Sequence, residues 1–412
     1  MKYFVLFPVL IVLFSGKILL AENDSLNQRA AAIHKEVLTI DSHTDTPLWM
    51  IRPGFDIGVR HDARKEYSKI DFPRMKEGGL DGVFFAVFVS QGKRDSMGYE
   101  KVRRRAMMLF DTIDAVVKRY HDLTGLAVTP DDAYRLEKQG KRAVFIGIEN
   151  GYAIGKDISL VRTFYNRGAR YITLCHTKNN DICDSSTDTV GFNGLSPFGR
   201  QVVEEMNRVG VMVDISHISD PSVRDVLSVS KAPVIASHSC AKALCDNPRN
   251  LSDELLMELA KNGGVIQMCI LSDYVKTPLP NPPRDSARAA VQKKFRDFDG
   301  LSDEEMKQAR KEWNAVNEKF PQTLASVSDV ADHIDHIVGV IGIDHVGIGT
   351  DFDGGGGVEG CFDVSEMGNI TLELVKRGYS AEDIRKIWGA NLFRVMDETE
   401  KASKLLQSNP SE

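Results

Sequence analysis

The feature that most limits how this chain can fold is a regular alternation of short apolar segments with segments of helical periodicity. The apolar segments number eight, and most are apolar throughout, which is typical of strands buried on both faces of a parallel sheet. They are EVLTIDSH (36–43), GVFFAVFV (82–89), RAVFIGIEN (142–150), RYITLCH (170–176), GVMVDISH (210–217), PVIASHS (233–239), GGVIQMCI (263–270) and HVGIGTDFD (345–353). Eight strand–helix units predict an α/β fold, a (β/α)₈ TIM-type barrel.

The segments between these runs carry apolar residues at helical spacing. Residues 100–120 follow this pattern, and residues 196–210 form a predicted helix with Ser196 as its N-cap and Gly210 at its end. A doubly wound open sheet is the alternative architecture. The dinucleotide-binding fingerprint of that fold is GxGxxG directly after the first strand; it is absent at that place, and the barrel is therefore preferred.

Residues 272–327 interrupt the alternation with a stretch rich in proline and charge. Its apolar content is too low for a core of its own, which predicts an insertion after strand seven rather than a separate domain. Two amphipathic helices near the C-terminus would close the fold. We therefore expect a single barrel domain over residues 22–395 and a C-terminal tail over residues 396–412.

The N-terminal residues have the layout of a secretory signal peptide. Lys2 precedes an apolar run over residues 3–14, and a small-residue site follows at Ala21. This layout predicts a signal peptide over residues 1–21, a periplasmic or secreted protein, and no membrane span after cleavage. An uncleaved N-terminal anchor is the alternative, although the run is short for a span and Pro8 and Lys17 weaken it.

The composition argues against one large class of partner. The net charge is −6, so the chain lacks the basic footprint of a protein that binds nucleic acid. The six cysteines include no CxxC pair and are too sparse for a disulfide framework. We expect them to be small buried thiols.

Histidines and carboxylates stand at the ends of the apolar runs. Because barrel enzymes carry their chemistry at the C-terminal ends of the strands, these side chains are expected to meet at one rim. Any one of them alone is explained as well by a hydrogen-bonded or solvated residue, and only their convergence indicates a site. The residues are His43 and Asp45 at the end of the first run, Glu149 at the end of the third, His176, His217 and His238 at the ends of the fourth, fifth and sixth, and Asp351 and Asp353 at the end of the eighth.

The residue types at this predicted rim suit divalent metal ions. His43 and Asp45 lie two apart at a strand end and therefore project from the same face. Neutral imidazoles and carboxylates are ligands for Zn²⁺, and Mn²⁺, Fe²⁺ and Co²⁺ are also compatible. Glu149 is the natural bridge between two metals, since it is the carboxylate between that first pair and the pair formed by His217 and His238.

These motifs resemble those of the membrane (renal-type) dipeptidase family, a branch of the amidohydrolase-like metal barrels. The similar stretches run in order from about residue 40 to residue 395, nearly the whole mature chain. They are DSHTDTP, FIGIENGYAI, RYITLCHTKNN, VDISHIS, PVIASHSCAKALCDNPRNLSDELL and HVGIGTDFDG. The combination is specific, whereas HTD alone is not.

The resemblance implies two zinc ions per chain, bridged by Glu149 and a hydroxide. His43 and Asp45 would hold one zinc, and His217 and His238 would hold the other. No ligand position of the family is missing from this sequence. The insertion and the cysteine pattern depart from the family, and they bear on specificity and disulfides rather than on the metal chemistry.

Three further positions match residues that handle substrate in the family. His176 would polarise the substrate, Arg249 in NPRN would bind its carboxylate, and Asp351 in GTDFDG would be the catalytic acid and base. The resemblance thus implies a zinc-dependent dipeptidase, active on dipeptides that include those with a C-terminal D-residue, and a homodimer. The alternative is a metal-dependent amidohydrolase of a lactam, lactone or other small amide. Arg249 argues against it, because that role needs a free carboxylate.

Overall fold

The computed structural model describes residues 24–66, 68–295, 301 and 303–408. The signal peptide predicted over residues 1–21 lies outside this part of the chain. Among the helices that the structure describes, none combines the length and the apolar character that crossing a membrane requires.

Nine strands form one sheet in which every neighbouring pair is parallel. They are β1 (Ile40–Thr44), β2 (Gly82–Phe88), β3 (Thr124–Leu126), β4 (Arg142–Glu149), β5 (Ala169–Thr173), β6 (Met212–Asp214), β7 (Ile235–Ser239), β8 (Val265–Met268) and β9 (Val346–Ile348). Eight strands follow one another in chain order, whereas β3 pairs with the first residues of β4. The two edges meet where Asp45 N–H donates to Phe352 O at 2.9 Å and Asp351 N–H donates to His43 O at 3.1 Å. The predicted (β/α)₈ barrel is confirmed.

Helices occupy the connections between the strands. The α-helices span 24–36, Pro47–Met50, Ala63–Glu66, Phe72–Gly78, Ser96–Arg119, Pro130–Lys138, Ser159–Asn166, Pro197–Val209, Asp220–Val229, Asp253–Lys261, Ser272–Val275, Pro282–Lys294, Asp303–Lys319, Val327–Ile341, Gly368–Lys376, Ala381–Arg385 and Asn391–Ser408. Short 3₁₀ or π segments span Gly151–Ile154, Ile343–His345, Val364–Glu366 and Lys386–Ala390. The helix after Ser196 begins where that hydroxyl accepts a hydrogen bond from Gly199 N–H at 2.8 Å, and it ends at Gly210 with a φ of 94°. Both predicted boundaries are confirmed.

Large side chains fill the barrel interior. Phe84 stacks on Phe145 with ring centroids 4.6 Å apart, and Tyr171 lies 5.5 Å from Phe84. The helix Asn391–Ser408 packs against the same cluster from the N-terminal end of the barrel, where Phe393 lies 5.9 Å from Phe145. This packing closes the N-terminal end of the barrel, and the predicted site residues lie at the C-terminal end.

The last helix continues past residue 395, where the sequence analysis places the end of the domain. Thr399 and Ser403 on this helix are buried, and the Ser403 hydroxyl donates to Arg208 O at 2.9 Å. Part of the predicted tail, up to Ser408, is therefore packed against the barrel. Small polar side chains make these contacts, which explains why hydrophobic periodicity does not indicate them.

The insertion follows β8, the seventh strand of the barrel path, as predicted. Its helices Pro282–Lys294 and Asp303–Lys319 pack together through Val291, Phe295 and Ala309, a small buried cluster separate from the main cores. The expectation that this segment has no core of its own is therefore wrong. A few apolar residues at helical spacing are enough to pair two helices even where the average composition is polar.

Candidate metal centre

The predicted site residues all lie at the C-terminal rim of the barrel, because each sits at or beyond the end of its strand. They are His43 and Asp45 (β1), Glu149 (β4), His176 (β5), His217 (β6), His238 and Arg249 (β7) and Asp351 (β9). All of them except His176 are buried, so their polar groups depend on one another rather than on solvent.

Glu149 occupies the centre of this rim. Its Oε2 atom lies 3.4 Å from His43 Nε2, and its Oε1 atom lies 3.0 Å from His217 Nε2. His176 Nε2 and His238 Nε2 are 3.6 and 3.8 Å from that same Oε1 atom. The two oxygens of one carboxylate therefore face two different groups of imidazoles.

The imidazoles also approach one another closely. His217 Nε2 and His238 Nε2 are 2.8 Å apart, and His43 stacks on His238 with ring centroids 3.8 Å apart. Three overlapping groups each bring their ligating atoms within 4.8 Å of one another. These groups are His43, Glu149 and His238; Glu149, His176 and His217; and His43, Asp45 and Asp351. Enough ligating atoms for more than one cation therefore meet at the rim.

The carboxylates of Asp45 and Asp351 converge beside Gly354. A methyl group added at Gly354 would collide with Asp45 Oδ2 and with Asp351 Oδ1. The backbone N–H groups of Gly354, Gly355 and Gly356 all donate to Asp351 O, at 3.2, 3.0 and 2.7 Å. The glycine-rich loop after β9 thus wraps around Asp351 and lets two carboxylates approach the same point.

Several rim residues adopt a left-handed backbone conformation that is uncommon for residues other than glycine. The φ angles are 72° at His217, 58° at Asp351 and 68° at Asp353. Asp353 is anchored by the Thr46 hydroxyl at 2.8 Å and by Lys69 N–H at 2.7 Å. Such strain persists where the surroundings impose it, and it concentrates at functional sites.

Unpaired polar atoms test whether the residues present fit metal ions. His43 Nε2, Asp45 Oδ1 and Glu149 Oε2 are all buried, and none has a hydrogen-bond partner among the residues that the structure describes. Buried polar atoms are nearly always paired, and exceptions need an explanation. Cations bound by these atoms supply one, and the donor set of imidazoles and carboxylates fits Zn²⁺.

The electrostatics of the rim point the same way. Burial lowers the pKa of His217 and His238 well below the ordinary value, so both are neutral and can act as ligands. Burial and the neighbouring Asp45 raise the pKa of Glu149, and His43 and Arg249 offset this shift only in part. Burial acts to lower the pKa of His43, but Tyr171 and Glu149 outweigh it and leave that pKa raised. The rim therefore favours added positive charge.

Arg249 and His176 border this cluster. Arg249 is only 4% exposed; its Nη2 donates to His238 O at 3.1 Å, and its Nε has no partner among the described residues. His176 is the most accessible of the four rim histidines, and its ring meets the edge of Phe88 at 4.8 Å. Burial and the charge of Arg249 lower the pKa of His176 to about 3, so its imidazole is neutral.

Three buried residues that support the rim were missed by the sequence analysis. The Tyr171 hydroxyl lies 2.8 Å from His43 Nδ1, and the Ser237 hydroxyl lies 2.8 Å from His238 Nδ1. Asp214 in turn accepts a hydrogen bond from Ser237 at 2.6 Å. The available signal was a polar residue inside an otherwise apolar strand, as in VMVDISH for Asp214.

The helical pair His333 and His336 does not belong to this site. His333 Nδ1 accepts from Ala241 N–H at 3.1 Å, and its Nε2 lies 2.8 Å from Val275 O. His336 Nε2 lies 2.8 Å from Asp253 Oδ1. Both are structural histidines with partners, as their position before the last strand suggests.

A barrel whose C-terminal rim gathers imidazoles and carboxylates around a central carboxylate is typical of metal-dependent hydrolases. The family model described as membrane dipeptidase (peptidase family M19) matches residues 27–410. The chain therefore belongs to the membrane dipeptidase family, and the predicted family is confirmed.

Individual relatives agree with this assignment. Dipeptidase verJ of Clonostachys rogersoniana is 33% identical over 95% of this chain and 91% of its own length. Dipeptidase 3 of Macaca fascicularis is 32% identical over 91% of this chain and 68% of its own length. The predicted activity is confirmed: the chain is a metal-dependent dipeptidase.

Solved structures share the fold. The probable dipeptidase PvdM from Pseudomonas aeruginosa superposes with a TM-score of 0.79 at 30% identity, over 92% of this chain and 99% of that one. A metallopeptidase from Rhodobacter sphaeroides, liganded with a phosphinate mimic of the dipeptide L-Ala-D-Ala, gives a TM-score of 0.71 at 21% identity, over 88% of this chain and 99% of that one. The latter likeness concerns the fold.

Proposed function

We propose that this chain is a binuclear zinc dipeptidase in which Glu149 bridges the two metals. The observation that supports the proposal is the orientation of the Glu149 carboxylate. Its Oε2 atom faces His43, and its Oε1 atom faces His217 and His238. His43 and Asp45 would complete one position, and the other two histidines would complete the second. When bound, such a metal pair activates water as a nucleophile and polarises a carbonyl.

Arg249 would bind the C-terminal carboxylate of the dipeptide. Its guanidinium is nearly fully buried and has an unpaired Nε atom, so a carboxylate could satisfy donors that the protein leaves free. The planar fork of arginine matches a carboxylate in two parallel hydrogen bonds. A binding group of this kind selects short substrates with a free C-terminus and disfavours lactams and lactones.

His176 and Asp351 would handle the charge and the proton of the reaction. His176 is neutral, is the most accessible rim histidine, and can donate a hydrogen bond to the oxygen that becomes negative as the peptide carbonyl is attacked. Burial raises the pKa of Asp351 well above its ordinary value, which suits a group that takes the proton of the attacking water. Asp351 would then pass this proton to the leaving amine.

We also propose the remaining features from the sequence. Residues 1–21 would be a cleaved signal peptide, residues 22–395 would contain the barrel strands and the site, and the mature enzyme would be an exported homodimer. N-terminal sequencing of the purified protein tests the cleavage site, and light scattering on a gel-filtration column tests the oligomeric state. A retained N-terminus would favour the anchor instead.

A metal analysis followed by a dipeptide screen tests the proposed function. We expect two zinc ions per chain and release of amino acids from L,L and L,D dipeptides, with L-Ala-D-Ala as a natural test compound. No turnover by metal-replete protein across both panels would overturn the proposal.

Two variants test the assigned roles. Asp351→Asn should abolish turnover while both metals stay bound; loss of metal would instead make Asp351 a ligand. Arg249→Gln should raise KM about 10- to 100-fold for dipeptides, in line with the loss of a charge-assisted hydrogen bond. It should leave the slow hydrolysis of dipeptide amides unchanged, because these lack the carboxylate. An equal effect on both substrates would support the amidohydrolase alternative.

A further inference from the structure

A chain of three buried side chains runs from His238 into the barrel wall. His238 Nδ1 lies 2.8 Å from Ser237 Oγ, and Ser237 Oγ donates to Asp214 Oδ2 at 2.6 Å. All three side chains are fully enclosed, with at most 1% exposure. Solvent therefore cannot replace any of these hydrogen bonds.

The direction of the protons in this chain follows from the partners of Asp214. Its Oδ1 accepts from the backbone N–H groups of Ser216 at 3.0 Å and Ser237 at 2.8 Å. Its Oδ2 accepts from the hydroxyls of Ser237 and Thr173. Four donors on one carboxylate leave it no proton to give, so the single hydroxyl proton of Ser237 points at Asp214.

The tautomer of His238 is then determined. Since Ser237 Oγ gives its proton to Asp214, it can only accept from His238, and the imidazole proton must be on Nδ1. The lone pair of Nε2 is left facing Glu149 Oε1 at 3.8 Å and His217 Nε2 at 2.8 Å. This is the form of histidine that binds a metal through Nε2.

The other two histidines, His43 and His217, have no such chain of hydrogen bonds behind them in the described part of the protein. His43 Nδ1 faces the Tyr171 hydroxyl at 2.8 Å, a neutral group that can either donate or accept. His217 Nδ1 has no partner in the described part of the chain. Of the three histidines at the proposed metal positions, only His238 is connected to a carboxylate through a hydrogen-bonded side chain within the described ranges of the chain.

We propose that Asp214 and Ser237 are positioning residues that hold His238 as the Nδ1–H tautomer and so strengthen the metal position shared by His217 and His238. The inference rests on the proposed function, in which His238 is a metal ligand. Residues of this kind behind a ligand typically change metal affinity about 10- to 100-fold. The affinity for one of the two metals should therefore depend on Asp214 and Ser237, and the affinity for the other should not.

Stepwise zinc dissociation constants, measured by competition with a chelator, test this proposal without relying on activity. Ser237→Ala should weaken one of the two zinc ions by about 10- to 100-fold and leave the other unchanged. Ser237→Thr, which keeps the hydroxyl, should restore the affinity. Thr173→Val is the matched control, because it removes another donor to Asp214 Oδ2 but leaves the link to His238 intact.

Two results would overturn the proposal. One is unchanged zinc affinity in Ser237→Ala; the other is an equal loss in Ser237→Ala and Thr173→Val, which would mean that the hydrogen bonding of Asp214 matters only for the fold. Failure of the unmodified enzyme to bind zinc would refute the proposed function itself. If the unmodified enzyme binds two zinc ions tightly and Ser237→Ala binds both with the same dissociation constants, this inference alone is refuted.

A measurement on the unmodified zinc enzyme covers the case in which Ser237→Ala does not fold. ¹⁵N NMR of histidine-labelled protein, with the signal assigned by comparison with His238→Gln, reports which ring nitrogen carries the proton. We expect a proton on Nδ1 of His238 that exchanges slowly with solvent. A bare Nδ1 would overturn the assignment.

Discussion

Histidines at the two ends of the barrel differ in how their ring nitrogens are hydrogen bonded. At the N-terminal end, His34 Nδ1 lies 2.7 Å from Thr371 Oγ1 and its Nε2 lies 2.9 Å from Gly78 O, so both nitrogens have partners. At the C-terminal end, His43 Nδ1 is paired with Tyr171, but its Nε2 has no hydrogen-bond partner among the described residues. Complete pairing is typical of a histidine that stabilises the fold, whereas an unpaired nitrogen directed at carboxylates fits the role that we propose for His43 as a metal ligand.

We therefore expect the two ends of the barrel to contribute to different properties. The N-terminal end, where His34 is fully paired, should contribute to folding and little to catalysis. The rim gathers buried carboxylates and strained backbone, which cost stability and are tolerated for function. Substitutions at the two ends should therefore have opposite consequences, and four of them test this contrast.

The largest effect is expected from Glu149→Gln. The variant keeps the shape of the side chain but removes the charge that the two proposed metal positions would share. We expect loss of both metals and a fall in kcat/KM of at least about 1000-fold, roughly 4 kcal/mol of transition-state stabilisation. The metal-free variant should melt no lower than the metal-free unmodified protein, because a buried carboxylate with a raised pKa has been neutralised. A lower melting temperature would place Glu149 among the fold-stabilising residues and contradict the contrast.

Gly354→Ala should have the next largest effect. The added methyl group collides with the carboxylates of Asp45 and Asp351, so we expect kcat/KM to fall about 100-fold, or roughly 3 kcal/mol. The matched control is Gly339→Ala in the helix Val327–Ile341, where a methyl group meets nothing within 4 Å. The control should retain activity and gain up to about 1 kcal/mol in unfolding free energy, as measured by urea denaturation. Equal activity of the two variants would show that the rim tolerates repacking.

His34→Leu tests the opposite end of the barrel. The change leaves Gly78 O without its imidazole partner, and we expect a loss of about 1–3 kcal/mol in the free energy of unfolding. Activity per folded, metal-loaded molecule should be unchanged. A loss of bound metal in this variant would mean that the two ends are coupled after all.

The smallest effect is expected from His336→Gln. His336 is paired with Asp253 at 2.8 Å, but both side chains are partly exposed, so the pair should contribute no more than about 1 kcal/mol. Metal content and kcat/KM should match those of the unmodified enzyme. Loss of metal would contradict the structural role assigned to His336.

The sequence predicts the barrel and its rim because both depend on local signals. A buried parallel strand is a short apolar run, and its candidate site residue stands where that run ends, as Glu149 does at the last position of β4. The hydroxyl and carboxylate behind His238 are different, because Ser237 and Asp214 belong to two strands and their pairing depends on sheet register. Gly354 is likewise meaningful only once Asp45 and Asp351 are known to meet. The cluster formed by Val291 and Phe295 was missed for a related reason, since average composition hides a few well-spaced apolar residues.

The inserted helical hairpin begins and ends at one place on the barrel. Ala325 N–H donates to Ser272 Oγ at 2.8 Å, so the chain returns to its point of departure after the two helices that carry their own cluster. Because the two ends of the segment lie together, the strands on either side do not constrain its length. A foreign hairpin or a short linker could be grafted between these two residues, which makes this position a natural place to re-engineer the approach to the rim without redesigning the barrel.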